Sequence, residues 1–358
     1  MNMIIELPSE AAAALKRLRP QWDLSSVGGV ELLIGGYTNA NYALTYRDAD
    51  YVLRLARPTP VVMDRAFEKR LLTGPIALLT APLVAYILPE GHMLTRRVAG
   101  PLLVGGYTND NFALTYRDAD YVLRIARRSP IVIDRAFEKR LLSGPIALLT
   151  APLVAYVLPE GHMLTRRVTG PLLVDTRPTT TALAQYLARL HLRIPPLGRR
   201  YDLVQTIGRD LRVAAQLGEN PPPWFAKEHE SLTRAALQIR PCHNDLNPWN
   251  VIVSASDPTR WCTLDWEIAG DNDPLFDLIC LSEGLGWSLD QTDELIDEYL
   301  ELIESARAPT TPQRRTIRKA YFLREYAWAL AQLASGNRRT EIEAQLARSA
   351  DALKEISG

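Results

Sequence analysis

Residues 243 to 250 read His243-Asn244-Asp245-Leu246-Asn247-Pro248-Trp249-Asn250, and the rest of the chain is best understood outward from them. An aspartate stands two residues after a histidine, and an asparagine follows five residues later. Phosphoryl transfer needs such a pair for two separate reasons. A carboxylate accepts a hydrogen bond from the attacking hydroxyl and orients it, while a nearby amide oxygen helps hold the divalent ion that bridges the phosphates. Asp245 is therefore the candidate catalytic residue and Asn250 a candidate metal ligand. An aspartate and an asparagine in one turn also satisfy ordinary turn chemistry, so the context matters. Val251-Ile252-Val253 supplies a short strand, a turn-rich segment follows, and Trp261 to Asp265 supplies a second strand ending on a carboxylate. That hairpin makes Asp265 the second candidate metal ligand.

Upstream, Leu33 to Leu102 recurs as Leu103 to Leu172 at constant offset, with about 59 of 70 positions identical. The exchanges are mild, such as Tyr42 to Phe112, Leu55 to Ile125 and Thr73 to Ser143, so both copies keep volume and pattern. Two long copies are too few for a solenoid, and a duplicated lobe fits better. In each copy NYALTY or NFALTY and YVLRLA or YVLRIA alternate around RDAD, which predicts a two-stranded hairpin. A helical stretch follows, ended by Gly74-Pro75 or Gly144-Pro145. Two short strands, PLVAY and HMLTRRV, come next, joined by a turn. From about Thr180 the pattern turns to long amphipathic helices, such as TALAQYLARLH and RKAYFLREYAWALAQLA. The expected class is α+β, in three segments: 1–102 with the first copy, 103–174 with the second, and a helical 175–358.

Within the second copy, Gly105, Gly106, Thr108, Asn109 and Asn111 have the composition of a loop whose backbone amides approach phosphates closely. Gly35, Gly36, Thr38, Asn39 and Asn41 are their counterparts. A hairpin turn alone would use similar residues. On the third strand stands Arg124 or Arg54, and a helix glutamate, Glu138 or Glu68, lies fourteen residues later. A cation held by a helix carboxylate can grip nucleotide phosphates. A surface ion pair is the plainer reading and applies to whichever copy is not docked.

HNDLNPWNVIV followed by LDWEIAGDNDPLFDLI resembles the signature of bacterial choline kinases and their choline/ethanolamine kinase relatives. Aminoglycoside phosphotransferases share that scaffold. GGYTNANYALT with YVLRLAR is similar to the nucleotide loop and third strand of the same superfamily. In those relatives a glycine commonly sits where this chain has Asn244. The resemblance implies a protein-kinase-like bilobal fold, with an antiparallel-sheet N-lobe written twice and a mainly helical C-lobe. It implies ATP as co-substrate, Mg2+ as cofactor and a small-molecule alcohol as acceptor, with choline or another amino alcohol favoured. Asp277 resembles the position that braces the catalytic loop from a helix, and His243 is expected to be structural. Aromatic faces hold a quaternary ammonium through cation–π attraction, so Glu267, Trp266 and Trp328 are the acceptor-side candidates. Another alcohol, such as thiamine or an aminoglycoside, stays open, as does a nucleotide-binding pseudokinase.

The composition excludes some alternatives. Forty-one Lys plus Arg balance forty-one Asp plus Glu, which leaves no electrostatic footprint for nucleic acid. Cys242, Cys262 and Cys280 lack metal-ligand spacing and are odd in number, which argues against a disulfide framework and fits a cytoplasmic setting. No apolar run of about 18 residues is present for a membrane span. Neither a P-loop, nor a dinucleotide fingerprint, nor a nucleophile elbow occurs. A spare lobe would expose apolar surface, which is compatible with a homodimer, including a domain-swapped one.

The second copy runs through TGPLLVDTRP directly into the helical segment, whereas the first runs without a linker into the second. The second copy is thus expected to complete the active site. Arg124→Ala should severely reduce activity and Arg54→Ala change it little. Deleting residues 33–102 should leave an active enzyme, because joining Leu32 to Leu103 restores an uninterrupted VELLVGGYTND. Steady-state kinetics on the three proteins checks this, and a damaging Arg54→Ala would assign the work to the first copy.

Overall fold

The structure, a computed structural model, describes residues 6–33, 39–56, 69, 83–87, 92–96, 102–103, 109–116, 119–126, 133–158, 161–230, 232, 239–254, 260–305 and 307–357. They fall into two compact units: residues 1–127 with 153–167, and residues 128–152 with 168–358. Both glycine loops, 34–38 and 104–108, lie outside the described residues, as does the first copy's helical stretch apart from Lys69. Gly105, Gly106, Thr108 and Glu68 fall there.

The first unit opens with helix α1 (Ser9–Leu18). Its buried face, Ala11, Ala14, Leu15 and Leu18, follows the 3.6-residue period. Strands β1 (Val27–Leu33), β2 (Asn39–Tyr46), β3 (Ala49–Ala56), β4 (Leu83–Ile87) and β5 (His92–Arg96) form an antiparallel sheet in the order β1-β2-β3-β5-β4. Val30, Leu44, Leu53, Leu55 and Leu94 share a core with the buried face of α1. Trp22 stacks on Tyr46 with ring centroids 4.0 Å apart and meets Tyr51 edge-on at 4.8 Å. The expected hairpin is present, with Arg47 in the left-handed region at its turn.

Strands β6 (Leu102–Leu103), β7 (Asn109–Tyr116), β8 (Ala119–Ala126), β9 (Leu153–Val157) and β10 (His162–Arg166) repeat the pattern as β6-β7-β8-β10-β9. Tyr121, Leu123 and Ile125 are only half-buried, whereas their counterparts Tyr51, Leu53 and Leu55 are buried. Arg reverses the trend: Arg124 is buried and Arg54 is half-buried.

The second unit begins with α2 (Arg135–Leu142), whose N-cap Asp134 accepts the Phe137 N–H at 2.9 Å. The helix stops before Gly144-Pro145, as expected. After it come α3 (Thr180–Arg193), α4 (Leu203–Gln216), α5 (Pro223–Glu230), the short strands β11 (Arg240–Cys242), β12 (Val251–Ile252), β13 (Cys262–Thr263) and β14 (Gly270–Asn272), then α6 (Leu275–Gly284), α7 (Leu289–Leu302), α8 (Thr311–Ala334) and α9 (Thr340–Ser357). The four short strands pair as β11 with β14 and β12 with β13. Ile207, Phe225, Phe276, Ile279, Phe322, Leu323 and Leu353 make an interhelical core beneath them. Among the described residues no helix is long and apolar enough to cross a membrane.

Residues 168–172 run alongside β12: the Val253 N–H donates to the Pro171 carbonyl at 2.9 Å, and Leu172 bridges Ile252. Gly170 has φ +151, and a Cβ there would lie 2.6 Å from the Val253 carbonyl oxygen. Only glycine fits so close an approach. Gly170→Ala should lower unfolding stability by about 1–3 kcal/mol in urea titration. Gly198→Ala, with nothing within 4 Å of its Cβ, should cost less. Equal losses would mean that the close approach is relieved without strain.

Candidate active site

Strand β11 delivers the chain into His243-Asn244-Asp245, and β12 leaves it after Asn250. What fixes the loop is the Asp277 carboxylate in the first turn of α6, which is fully buried. It accepts the His243 N–H and the Asn244 N–H, each at 2.8 Å, and His191 Nε2 donates to it at 3.2 Å. A buried carboxylate is tolerated only when its oxygens are saturated in this way. Behind it the Tyr299 hydroxyl bonds His191 Nδ1 at 2.9 Å, and burial pushes that phenol above its usual range.

His243 is fully buried. Its Nε2 faces the Leu264 carbonyl at 2.7 Å and must donate, while Nδ1 accepts the Asp245 N–H at 3.2 Å. The imidazole is committed on both sides and ties the loop to the end of β13. Asn244 has φ +66, a region that asparagine tolerates better than most non-glycine residues. Its Nδ2 bonds the Gly270 carbonyl at 3.1 Å, and its Oδ1 accepts Asn272 Nδ2 at 2.8 Å. A side chain thus locks the loop onto β14 at a position where glycine could lock nothing.

Asn250 Nδ2 donates to the Asp245 carbonyl at 3.0 Å, which directs the amide oxygen away from that carbonyl. The Leu264 N–H bonds the Asn250 carbonyl at 2.7 Å, so the β12–β13 hairpin pairs Leu264 with Asn250, and Asp265 is the next residue. Asp265 lies at φ +61, in the left-handed region like Asn244. Such backbone strain clusters where a side chain must be aimed. Carboxylate oxygens of Glu138, Asp265 and Glu267 lie within 4.8 Å of one another. An amide oxygen and a carboxylate on one hairpin are hard oxygen donors of the kind magnesium takes.

Residues 101–315, more than half of the chain, match the profile of the phosphotransferase enzyme family. The chain belongs to that family. Protein LicA of Haemophilus influenzae is 41% identical over 61 residues, which cover 17% of this chain and 22% of that protein; the match therefore spans about a fifth of the relative. A choline/ethanolamine kinase family protein from Mesorhizobium loti superposes with a TM-score of 0.56 at 23% identity, covering 82% of this chain and 94% of the other. Choline kinase LicA from Streptococcus pneumoniae gives 0.61 at 18% identity, covering 81% and 99%. These structures share the kinase-like α+β fold expected from the sequence.

In this phosphotransferase the expected site residues are distributed as follows. Asp245 and Asn250 lie on one loop, joined by the Asn250 Nδ2 bond to the Asp245 carbonyl, and Asp265 follows β13 on the adjoining hairpin. Glu138 and Glu267 cluster with Asp265 and are bridged by Arg135, whose Nη1 reaches Glu138 at 3.0 Å and Glu267 at 3.1 Å. Trp266 is fully buried, packs on His243 at 4.8 Å and donates its indole N–H to the Thr263 carbonyl at 3.0 Å, so it supports the loop from within the core. Trp328 is half-buried on α8. In the other unit Arg124 donates to the Gly161 carbonyl at 3.1 Å and pairs across strands with Asn111. Asn109 is buried at the start of β7.

Sequence reasoning missed Arg324. From α8 its guanidinium donates twice to Asp245 Oδ1, at 3.1 Å each, and once to the Asn244 carbonyl at 3.0 Å, and it pairs with Glu325 at 2.9 Å. Burial opposes its charge, but Glu325 and Asp245 outweigh that and hold it well above its usual range. One signal was available: an arginine inside the apolar run Tyr321-Phe322-Leu323-Arg324 has to be paired to be buried.

Asp277→Asn should lower kcat at least tenfold, since the amide turns a donor toward a loop N–H and leaves it unsatisfied, a penalty of about 1–3 kcal/mol. Steady-state kinetics with a parallel thermal melt checks this. An unchanged kcat in folded protein would remove Asp277 as the anchor.

Proposed function

We propose that the protein transfers the γ-phosphoryl group of ATP to the hydroxyl of choline or a related amino alcohol. One observation carries the reading: Asp245 has one carboxylate oxygen taken by Arg324, while its side chain stays 35% exposed. The carboxylate is held in a single orientation and can still receive an acceptor hydroxyl. In this reading Asp245 orients that hydroxyl and accepts its hydrogen bond. Asn250 and Asp265 would hold magnesium, which when bound offsets negative charge on the phosphates. Arg124 and Glu138, with the loop of Gly105, Gly106, Thr108, Asn109 and Asn111, would serve the nucleotide.

Charge and ring chemistry support an amino alcohol. The Asp245 carboxylate, 35% exposed, is the acidic group that would face a cationic acceptor. Trp328 lies one turn beyond Arg324 on the same helix, at the spacing that puts two side chains on one face. The two solved structures named above are described as a choline/ethanolamine kinase family protein and a choline kinase.

Asp245→Asn should cost roughly 10²- to 10⁴-fold in kcat while sparing Mg-ATP binding, and Asp265→Ala should weaken that binding in isothermal titration. Choline should be turned over more efficiently than kanamycin. Trp328→Ala should raise the choline KM, a cation–π contact contributing about 0.5–2 kcal/mol. Turnover of kanamycin with none of choline would reject the acceptor assignment, and no turnover of any alcohol would favour a pseudokinase.

A further inference from the structure

One carboxylate of α8 is shared between its own helix and the next. Glu325 accepts Arg324 Nη1 on Oε1 at 2.9 Å and Gln345 Nε2 of α9 on Oε2 at 2.8 Å, and its side chain is 13% exposed. The same Arg324 Nη1 donates to Asp245 Oδ1 at 3.1 Å, so one nitrogen joins the two carboxylates. Nη2 bonds the same Asp245 oxygen and the Asn244 carbonyl, and the Phe276 ring of α6 lies 5.7 Å from the guanidinium carbon. An arginine has many rotamers, and these contacts leave it one. Gln345 is placed in turn by α9, whose Leu353 and Ile356 enter the interhelical core. The Ile356 carbonyl accepts Arg315 Nε of α8 at 2.7 Å, so α9 is tied to α8 at two points. A half-buried carboxylate that meets a donor on each oxygen is satisfied where it stands.

We propose that Glu325 is a positioning residue for the transfer step: held by Gln345 of α9, it fixes the Arg324 guanidinium that aims the Asp245 carboxylate. The inference rests on the reading of Asp245 as the group that orients the acceptor hydroxyl. Glutamine is no substitute at 325. A carboxylate offers an acceptor oxygen to each of two donors, whereas an amide offers one and turns an NH2 toward the other. Lysine at 324 is no equivalent either, because an ammonium keeps the charge without the planar fork that reaches Asp245, Asn244 and Glu325 together. Helix α9 carries none of the site residues assigned above, yet through this chain of bonds it bears on turnover.

The test compares Glu325→Gln, Gln345→Leu, Arg324→Lys, Arg324→Met and the double variant Arg324→Met with Glu325→Gln in the full chain. Glu343→Gln, an exposed change on α9, is the control. The kcat, the KM for Mg-ATP and the KM for choline are read beside a thermal melt. Misplacing a reacting group by about 1 Å can cost roughly 100-fold, so Glu325→Gln should lower kcat about tenfold and leave the Mg-ATP KM within about twofold of the parent. Gln345→Leu removes one hydrogen bond and should lower kcat about threefold, which keeps the proposal testable should a change at 324 or 325 prevent folding. Arg324→Lys should keep more kcat than Arg324→Met. Because Glu325 acts through Arg324, adding Glu325→Gln to Arg324→Met should lower kcat no further, the non-additivity of residues in one network. Glu343→Gln should match the parent. An unchanged kcat in folded Glu325→Gln, full multiplication of the two losses in the double variant, or a fall in kcat matched by an equal rise in the Mg-ATP KM would each overturn the proposal. Asp245→Asn separates the two layers: parental kcat in that variant removes the reading of Asp245, whereas damage there with a silent Glu325→Gln removes only Glu325.

Discussion

One buried carboxylate, that of Asp277, holds the backbone of the catalytic loop by two 2.8 Å hydrogen bonds, and the remaining site geometry follows from it. With the His243 and Asn244 amides pinned, the imidazole can point only toward Leu264, and Asp245 emerges at the next residue. An ionised carboxylate away from water is expensive, and three donors offset that cost here. The same saturation makes the arrangement specific, because no slipped register of the loop would satisfy both oxygens.

Side chains on either side extend this constraint. Asn244 adopts a backbone conformation usual for glycine and spends its amide on β14, so the loop is tied to two strands and one helix. Arg324 holds the Asp245 carboxylate from α8, and Asn250 returns its amide nitrogen to the Asp245 carbonyl. Gly284 of α6 shows how tightly the surroundings are filled: a Cβ there would run into the Pro248 ring. The loop is therefore preorganised by packing as well as by hydrogen bonds, the condition under which a positioned carboxylate contributes most.

Much of this was legible in the sequence, for reasons that differ by element. Strands β2, β3, β7 and β8 announced themselves by period-2 alternation around RDAD, the His243–Asn250 turn by its spacing, and the strand before Asp265 by its apolar run. The placement of β5 between β3 and β4 had no local signal, since it depends on pairing across a long connection. The partners of Arg324 and Arg135 could not be read off the sequence for the same reason: they lie 79 and 132 residues away. Trp266 illustrates a different limit. A tryptophan beside a motif has the same letter whether it lines a site or fills the core, and only the structure gives it the Thr263 carbonyl and the His243 ring. Residues 128–152 of the second copy group with residues 168–358, and within that unit Arg135 bonds Glu267 and the Leu149 carbonyl accepts the Thr263 N–H at 2.8 Å.

The central claim is that this anchored loop directs a phosphoryl group onto an alcohol oxygen. Phosphorus NMR of the full chain with Mg-ATP and choline tests it most directly. The account predicts a phosphomonoester resonance growing in step with ADP and absent with Asp245→Asn. ADP appearing with inorganic phosphate alone, or a phosphomonoester formed equally well without the Asp245 carboxylate, would contradict it.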